Sequence, residues 1–210
     1  MHICILGATG GTGRHLVDQS LGRGHSVTAL VRTPAKLADL QHDQLDVVAV
    51  DAMDPVALEP HIARSDAVVS AIGPVEKGPS DACAGSANAI TAAMHATKAR
   101  RVVLISAAGP YTDGDGPFTR FVVKPMLRRM LRHPFADMVA METVVQDSDL
   151  DWTIMRPPML TNKAHTGRYR VRHNANVRRG YALARANLAS AILDVLDDQT
   201  TFRIPLGVAR

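Results

Sequence analysis

The sequence predicts an α/β fold, a doubly wound parallel sheet with helices on both faces. It reads as a single domain over residues 1–210, with a small C-terminal portion folded over a substrate crevice. Three observations point there. Short, branched, apolar runs alternate with helix signals along most of the chain, as strands buried on both faces require. The first run passes directly into a glycine-rich turn that opens a helix. No repeat, low-complexity tract or linker interrupts the pattern, and 210 residues can bury a core without disulfides or metal.

In order, Ile3–Leu6 is the first strand, and Leu16, Val17, Ser20 and Leu21 mark the first helix. Val27–Val31, Asp46–Val50, Ala67–Ala71 and Val102–Ile105 give four further strands. Between them, Thr33-Pro34 and Asp54-Pro55 each pair a capping side chain with proline at the first helical position. An alanine-rich helix is expected from Ser80 to about Lys98. After the fifth strand come a Gly/Pro-rich loop over 107–117 and helices over Pro125–Arg132 and Phe135–Gln146. A sixth strand, Trp152–Met155, ends at Arg156-Pro157-Pro158; Tyr169–Arg172 alternates like an exposed strand, and Leu183–Leu196 is a final helix.

The turn reads Gly7-Ala8-Thr9-Gly10-Gly11-Thr12-Gly13. In a strand–turn–helix setting it turns free backbone N–H groups and the positive end of a helix toward a pyrophosphate, so a dinucleotide is expected there. Ala71, Ile72 and Gly73, at the end of the fourth strand, would line that ligand as small or backbone contacts. The second strand ends Val31-Arg32-Thr33-Pro34, with Lys36 beyond and no acid before Asp39. A carboxylate there would bind a ribose 2′-hydroxyl, whereas Arg32 can hold a 2′-phosphate bidentately. NADP(H) is therefore favoured over NAD(H).

Formal net charge is +4, unevenly spread. No Asp or Glu occurs from Trp152 to Leu193 or from Gly116 to Ala136, and these stretches hold 13 of the 24 Lys and Arg residues. Such a rim would attract an anionic cofactor and an anionic substrate. Nucleic acid is not expected, because no helix-turn-helix, zinc finger or aromatic-studded basic sheet is visible. Neither is a metal, since the nine histidines include no HExxH and no cluster with acids. Cys4 and Cys83 form no CxxC pair and read as structural thiols of a reducing compartment. Without a signal peptide or a membrane-length apolar run, a cytoplasmic protein with no membrane partner is expected.

These blocks together resemble the atypical short-chain dehydrogenase/reductases of the NmrA-like, NAD(P)H-binding kind, most closely their biliverdin reductase B/flavin reductase branch. The resemblance runs through the Gly7–Gly13 turn, Val31-Arg32, Val50-Asp51, Ser70-Ala71-Ile72-Gly73 and Ser106-Ala107-Ala108-Gly109. It continues in Leu150–Pro158 and in Thr166-Gly167-Arg168-Tyr169. It implies a Rossmann-type sheet, an adenine beside Asp51 and Ala52, and a cofactor contact at Pro157. Two departures stand out, for the branch has a serine at the place of Ala107 and a histidine at the place of Met159.

None of the three tyrosines has a lysine four residues on, because Asp115, His173 and Arg185 occupy those places. The Tyr-x-x-x-Lys device of alcohol dehydrogenases is thus missing. Hydride transfer to a flavin or quinone needs less, since such acceptors can take a proton from water. The expected function is an NADPH-dependent reductase of a small planar acceptor, acting as a monomer or homodimer. Ser106, counted among the cofactor contacts as well, would donate near the nicotinamide or the acceptor carbonyl, and Tyr111 would stack on the acceptor. The alternative is a non-enzymatic NADP(H)-binding redox sensor of the NmrA type.

Overall fold

The structure, a computed structural model, describes residues 1–74 and 79–210. Its main sheet has the order β3-β2-β1-β4-β5-β6-β10-β8. The strands are β1 (His2–Leu6), β2 (Ser26–Val31), β3 (Leu45–Ala49), β4 (Ala67–Ser70), β5 (Arg101–Ile105), β6 (Asp151–Arg156), β8 (Arg170–His173) and β10 (Ile204–Ala209). Neighbours are parallel throughout except at one edge, where β8 runs antiparallel to β10. A second, two-stranded sheet pairs β7 (Met159–Thr161) with β9 (Ala182–Ala184) in parallel.

Alternation along β1 shows why the sheet is covered twice. Ile3 and Ile5 join one apolar core, with Leu16 and Val17 of α1 (Gly11–Gly22) and Leu188 and Ile192 of α6 (Arg185–Asp194). Cys4 and Leu6 join the other. Its partners are Leu58 of α2 (Pro55–Ile62), Ile90 of α3 (Ala82–Thr97) and Met141 of α5 (Arg132–Gln146). Both thiols are free and buried, and burial pushes each up to about 12, with Asp137 adding to the effect on Cys83.

Two buried polar side chains fasten the helices. The Asp137 carboxylate accepts from the backbone N–H groups of Cys83 (3.0 Å) and Ala84 (2.9 Å), so α5 caps the first turn of α3. Arg101 donates to the carbonyls of Val195 (2.6 Å) and Leu196 (2.9 Å), satisfying the end of α6 from within the sheet. Burial pulls the Arg101 guanidinium down to about 10, so it remains charged at neutral pH.

The sequence reading differs from this architecture in three places. Asp54 caps α2 as expected, accepting from Val56 and Ala57. Thr33-Pro34, by contrast, starts only one 3-10 turn, Pro34–Leu37, in which Leu37 alone is buried, too little apolar surface to carry a helix further. The last helix begins at Arg185, because Leu183 pairs in β9 with Leu160. Strand β10 was not expected at all, since Pro205 and Gly207 inside an apolar run count against a strand. Gly207 is needed there because the Ala175 carbonyl crosses where a Cβ would stand.

Candidate active site

Each cofactor residue expected from sequence lies at the carboxyl edge of the sheet. The Gly7–Gly13 turn follows β1, Arg32 follows β2, Asp51 and Ala52 follow β3, Ala71–Gly73 follow β4, Ser106 follows β5 and Pro157 follows β6. Strand order reverses at β1, between β2 and β4, which opens a crevice beyond these ends. Gly7 has φ +75, and a Cβ on it would stand 2.6 Å from the Ala71 carbonyl carbon. A Cβ on Gly13 would strike the Gly7 carbonyl oxygen. These glycines therefore let the turn fold back on itself and press against the end of β4.

A dinucleotide fits this edge. Helix α1 begins with no side-chain cap and no acid in its first turn, so its leading N–H groups stay available to an anion. Gly10 and Gly11 are exposed. The Arg185 side chain lies across Gly11, where a Cβ would stand 2.8 Å from its Cδ, and its Nη1 donates to Asn162 Oδ1 at 2.6 Å. A guanidinium is thus held beside the exposed glycines of the turn. Arg32 and Lys36 are exposed. The nearest acid, Asp39, is ion-paired with Arg14, whose hydrogen bond holds that carboxyl below its usual range. Arg14 also donates to the Lys36 carbonyl at 3.0 Å, fixing this loop to α1. Asp51 accepts locally from the Met53 N–H at 3.0 Å.

Ser106 and Tyr111 meet through residues that the sequence reading had not singled out. The Ser106 hydroxyl donates to Glu142 Oε1 of α5. Arg156 grips the same carboxylate from β6 with Nε, at 3.2 Å and 3.1 Å from its two oxygens, and with Nη2. Its guanidinium carbon stands 3.4 Å from the Tyr111 ring centre, a cation–π stack. Burial, then the Glu142 charge, pushes the Tyr111 phenol upward, so it stays protonated at neutral pH. With its proton committed to Glu142, the Ser106 hydroxyl has only lone pairs left to offer.

Beside this network lies a cavity of about 720 Å³. Ala107, Ala108 and Gly109 floor it beside Pro157, and the two strand ends are joined by Ser106 N–H to Met155 O and Ala108 N–H to Pro157 O, both 2.8 Å. Arg156, whose guanidinium meets Glu142 and Tyr111, is also one of its lining residues. Lys124 closes the polar end, donating to the Ala108 carbonyl and standing 3.5 Å from Asp115. Asn176 donates to Tyr111 O at 2.7 Å and to Asp115 at 3.2 Å. Ser106 and Tyr111 themselves do not line the cavity.

The fold and this edge define a class, the Rossmann-type proteins whose dinucleotide edge lies at the carboxyl ends of a parallel sheet. Residues 7–199 match the family described as NAD(P)H-binding, and the chain belongs to that family. It is 25% identical over 203 residues to the uncharacterized protein YwnB of Bacillus subtilis (strain 168), covering 94% of this chain and 92% of that protein. Among solved structures, a short-chain dehydrogenase/reductase (wide type) from Veillonella parvula DSM 2008, in complex with NADP, superposes with TM-score 0.79 at 20% identity. That match covers 100% of this chain and 94% of the other. The oxidoreductase ylbE from Lactococcus lactis gives TM-score 0.80 at 17% identity, covering 100% and 91%.

Proposed function

We propose that this protein is an NADPH-dependent reductase that passes hydride to a planar acceptor, a flavin or a quinone. The observation that carries the reading is the cavity of about 720 Å³ at the ends of β5 and β6, next to the dinucleotide edge. It is walled mainly by apolar side chains, with cationic groups at fixed points. Arg32 favours the phosphorylated dinucleotide, and the NADP bound to the Veillonella protein supports the same choice.

When bound, the nicotinamide supplies hydride. The chain itself binds and orients. The first turn of α1 and Arg185 would hold the pyrophosphate, and Arg32 with Lys36 would hold the 2′-phosphate. The Ala107–Gly109 and Pro157 walls keep water from the acceptor face, and Arg156, fixed by Glu142, draws an electron-rich carbonyl or phosphate into place. Reduction of a quinone to its hydroquinone would take one hydride and one proton, the proton coming from water. No side chain need donate that proton, which agrees with Ser106 and Tyr111 lying outside the cavity lining.

One observation favours a second reading. Both side chains expected to touch substrate are held by the Glu142–Arg156 pair, Ser106 through its hydroxyl and Tyr111 through its ring, as a protein that only senses its cofactor would tolerate. The deciding experiment follows NADPH oxidation with FMN, FAD, riboflavin and simple quinones, with NADH alongside. Saturable turnover above the no-enzyme rate is expected. Absence of turnover, together with unequal affinities for NADP+ and NADPH, would establish the sensor instead.

A further inference from the structure

The mouth of the cavity carries a surface that catalysis on a soluble acceptor does not explain. From Phe118 the chain runs as one rod, a π-helical turn Thr119–Val123 continuing into α4 (Lys124–Met130). Every fourth residue falls on one stripe. Thr119, Val123, Leu127 and Leu131 face the cavity. The adjoining stripe, Phe118, Val122, Met126 and Met130, stands in solvent, with Phe121 beside it. Phe118 is 71% exposed, Phe121 72% and Met126 63%. Phe118 and Met130 belong to both surfaces, so the apolar lining runs out of the cavity onto the outside without a polar boundary. Across the mouth, Met159 and Tyr181 stand similarly exposed.

The same rod carries its charge on one sign only. Arg120, Arg128, Arg129 and Arg132 are exposed, no acid occurs between Gly116 and Ala136, and none of the four makes an ion pair among the described residues. Arg178 and Arg179 add positive charge on the opposite rim. Aromatic and sulfur side chains flanked by arginines suit the interface of an anionic bilayer. A second copy of this patch would bring like charges together, which disfavours self-pairing.

We propose that this rod docks the protein on an anionic lipid surface, with the cavity mouth opening toward the bilayer. The acceptor then enters from the lipid phase, which narrows the class proposed above to quinones carrying a hydrocarbon tail. The docking stands apart from that reading; only the acceptor class rests on it. The expectation of no membrane partner is thereby revised, because a missing spanning segment does not bear on peripheral binding.

The test is co-sedimentation of the full chain with vesicles of phosphatidylcholine alone or with one-third phosphatidylglycerol. Binding is expected only to the anionic vesicles, and it should fall with added salt. The double variants Phe121→Ser/Met126→Ser and Arg120→Ala/Arg129→Ala touch no cavity-lining residue. Each should weaken binding roughly tenfold or more while leaving turnover of soluble acceptors unchanged. Failure to sediment, or equal sedimentation with both vesicle types, would overturn the docking, even if soluble quinones are reduced. So would a vesicle-free dimer, seen by ultracentrifugation and abolished by the Phe121→Ser/Met126→Ser change, or an acidic protein bound at this patch in place of vesicles. Anionic-vesicle binding with turnover of soluble acceptors but not of a tailed quinone in those vesicles would leave the docking standing and overturn the tailed acceptor; binding without turnover of any acceptor would remove the reductase reading.

Discussion

Glu142 binds the Ser106 hydroxyl and the Arg156 guanidinium together, at 2% exposure, so its charge has no route to water. Breaking a buried pair from one side strands the other ion, which costs about 3–5 kcal/mol. Glu142→Gln should therefore lower stability by that order in urea unfolding. The double change Glu142→Gln/Arg156→Met should recover much of it, because an apolar replacement leaves no stranded charge. A loss below 0.5 kcal/mol in the single variant, on the scale of a surface change, would show that the pair is not structural. Arg32 lies at the opposite extreme, exposed and free to meet a ligand. Loss of its charged hydrogen bonds, worth about 1.5–3 kcal/mol, should weaken NADPH roughly ten- to hundredfold in Arg32→Ala and leave NADH unaffected. Titration calorimetry with both cofactors reads this directly. Equal weakening of the two would remove Arg32 from the 2′-phosphate site.

Elements built from consecutive residues were legible in the sequence, and those needing distant partners were not. The glycine turn, α1, α3 and the six strands of the classical order each carry a local pattern, so their ends could be placed within a few residues. Strand β10 completes its pairing with β6 and β8, which no local pattern announces. Glu142 was missed for a related reason. Residues Asp137, Met141, Glu142 and Val145 share the buried face of α5, and two carboxylates on such a face were the available signal. Their partners, the N-terminus of α3 and Arg156, lie far away in sequence. The α5 cap on α3 makes its own prediction. Asp137→Ala removes the acceptor for Cys83 and Ala84 and should cost about 0.5–2 kcal/mol, as caps do. Amide hydrogen exchange should quicken first in the opening turn of α3. Uniform quickening along the chain would mean that the cap is global rather than local.

At the scale of the whole molecule, one of the two cores encloses both thiols, Cys4 on β1 and Cys83 in the first turn of α3. Both are pushed up to about 12 from an ordinary value near 9. Between those values the unfolded chain releases protons that the folded one retains, so the unfolded state gains and stability falls as pH rises from about 9 to 12. Below pH 9 the thiols are protonated in both states and make no pH dependence. Neither should react with an alkylating reagent at pH 8 until denaturant opens that core. Rapid labelling of the native protein would contradict the burial described.

Strand β9 is only three residues long, and its two neighbours in sequence reach two different places. Tyr181, before it, rims the acceptor cavity, while Arg185, directly after it, lies over Gly11 of the cofactor turn. Parallel pairing with β7 makes the segment stiff. On the proposed function, a dinucleotide that recruited Arg185 would pull on one end of a segment whose other end, Tyr181, lines the cavity. Linkage makes such a pull mutual, so whatever factor the cofactor imposes on acceptor affinity the acceptor returns on the cofactor.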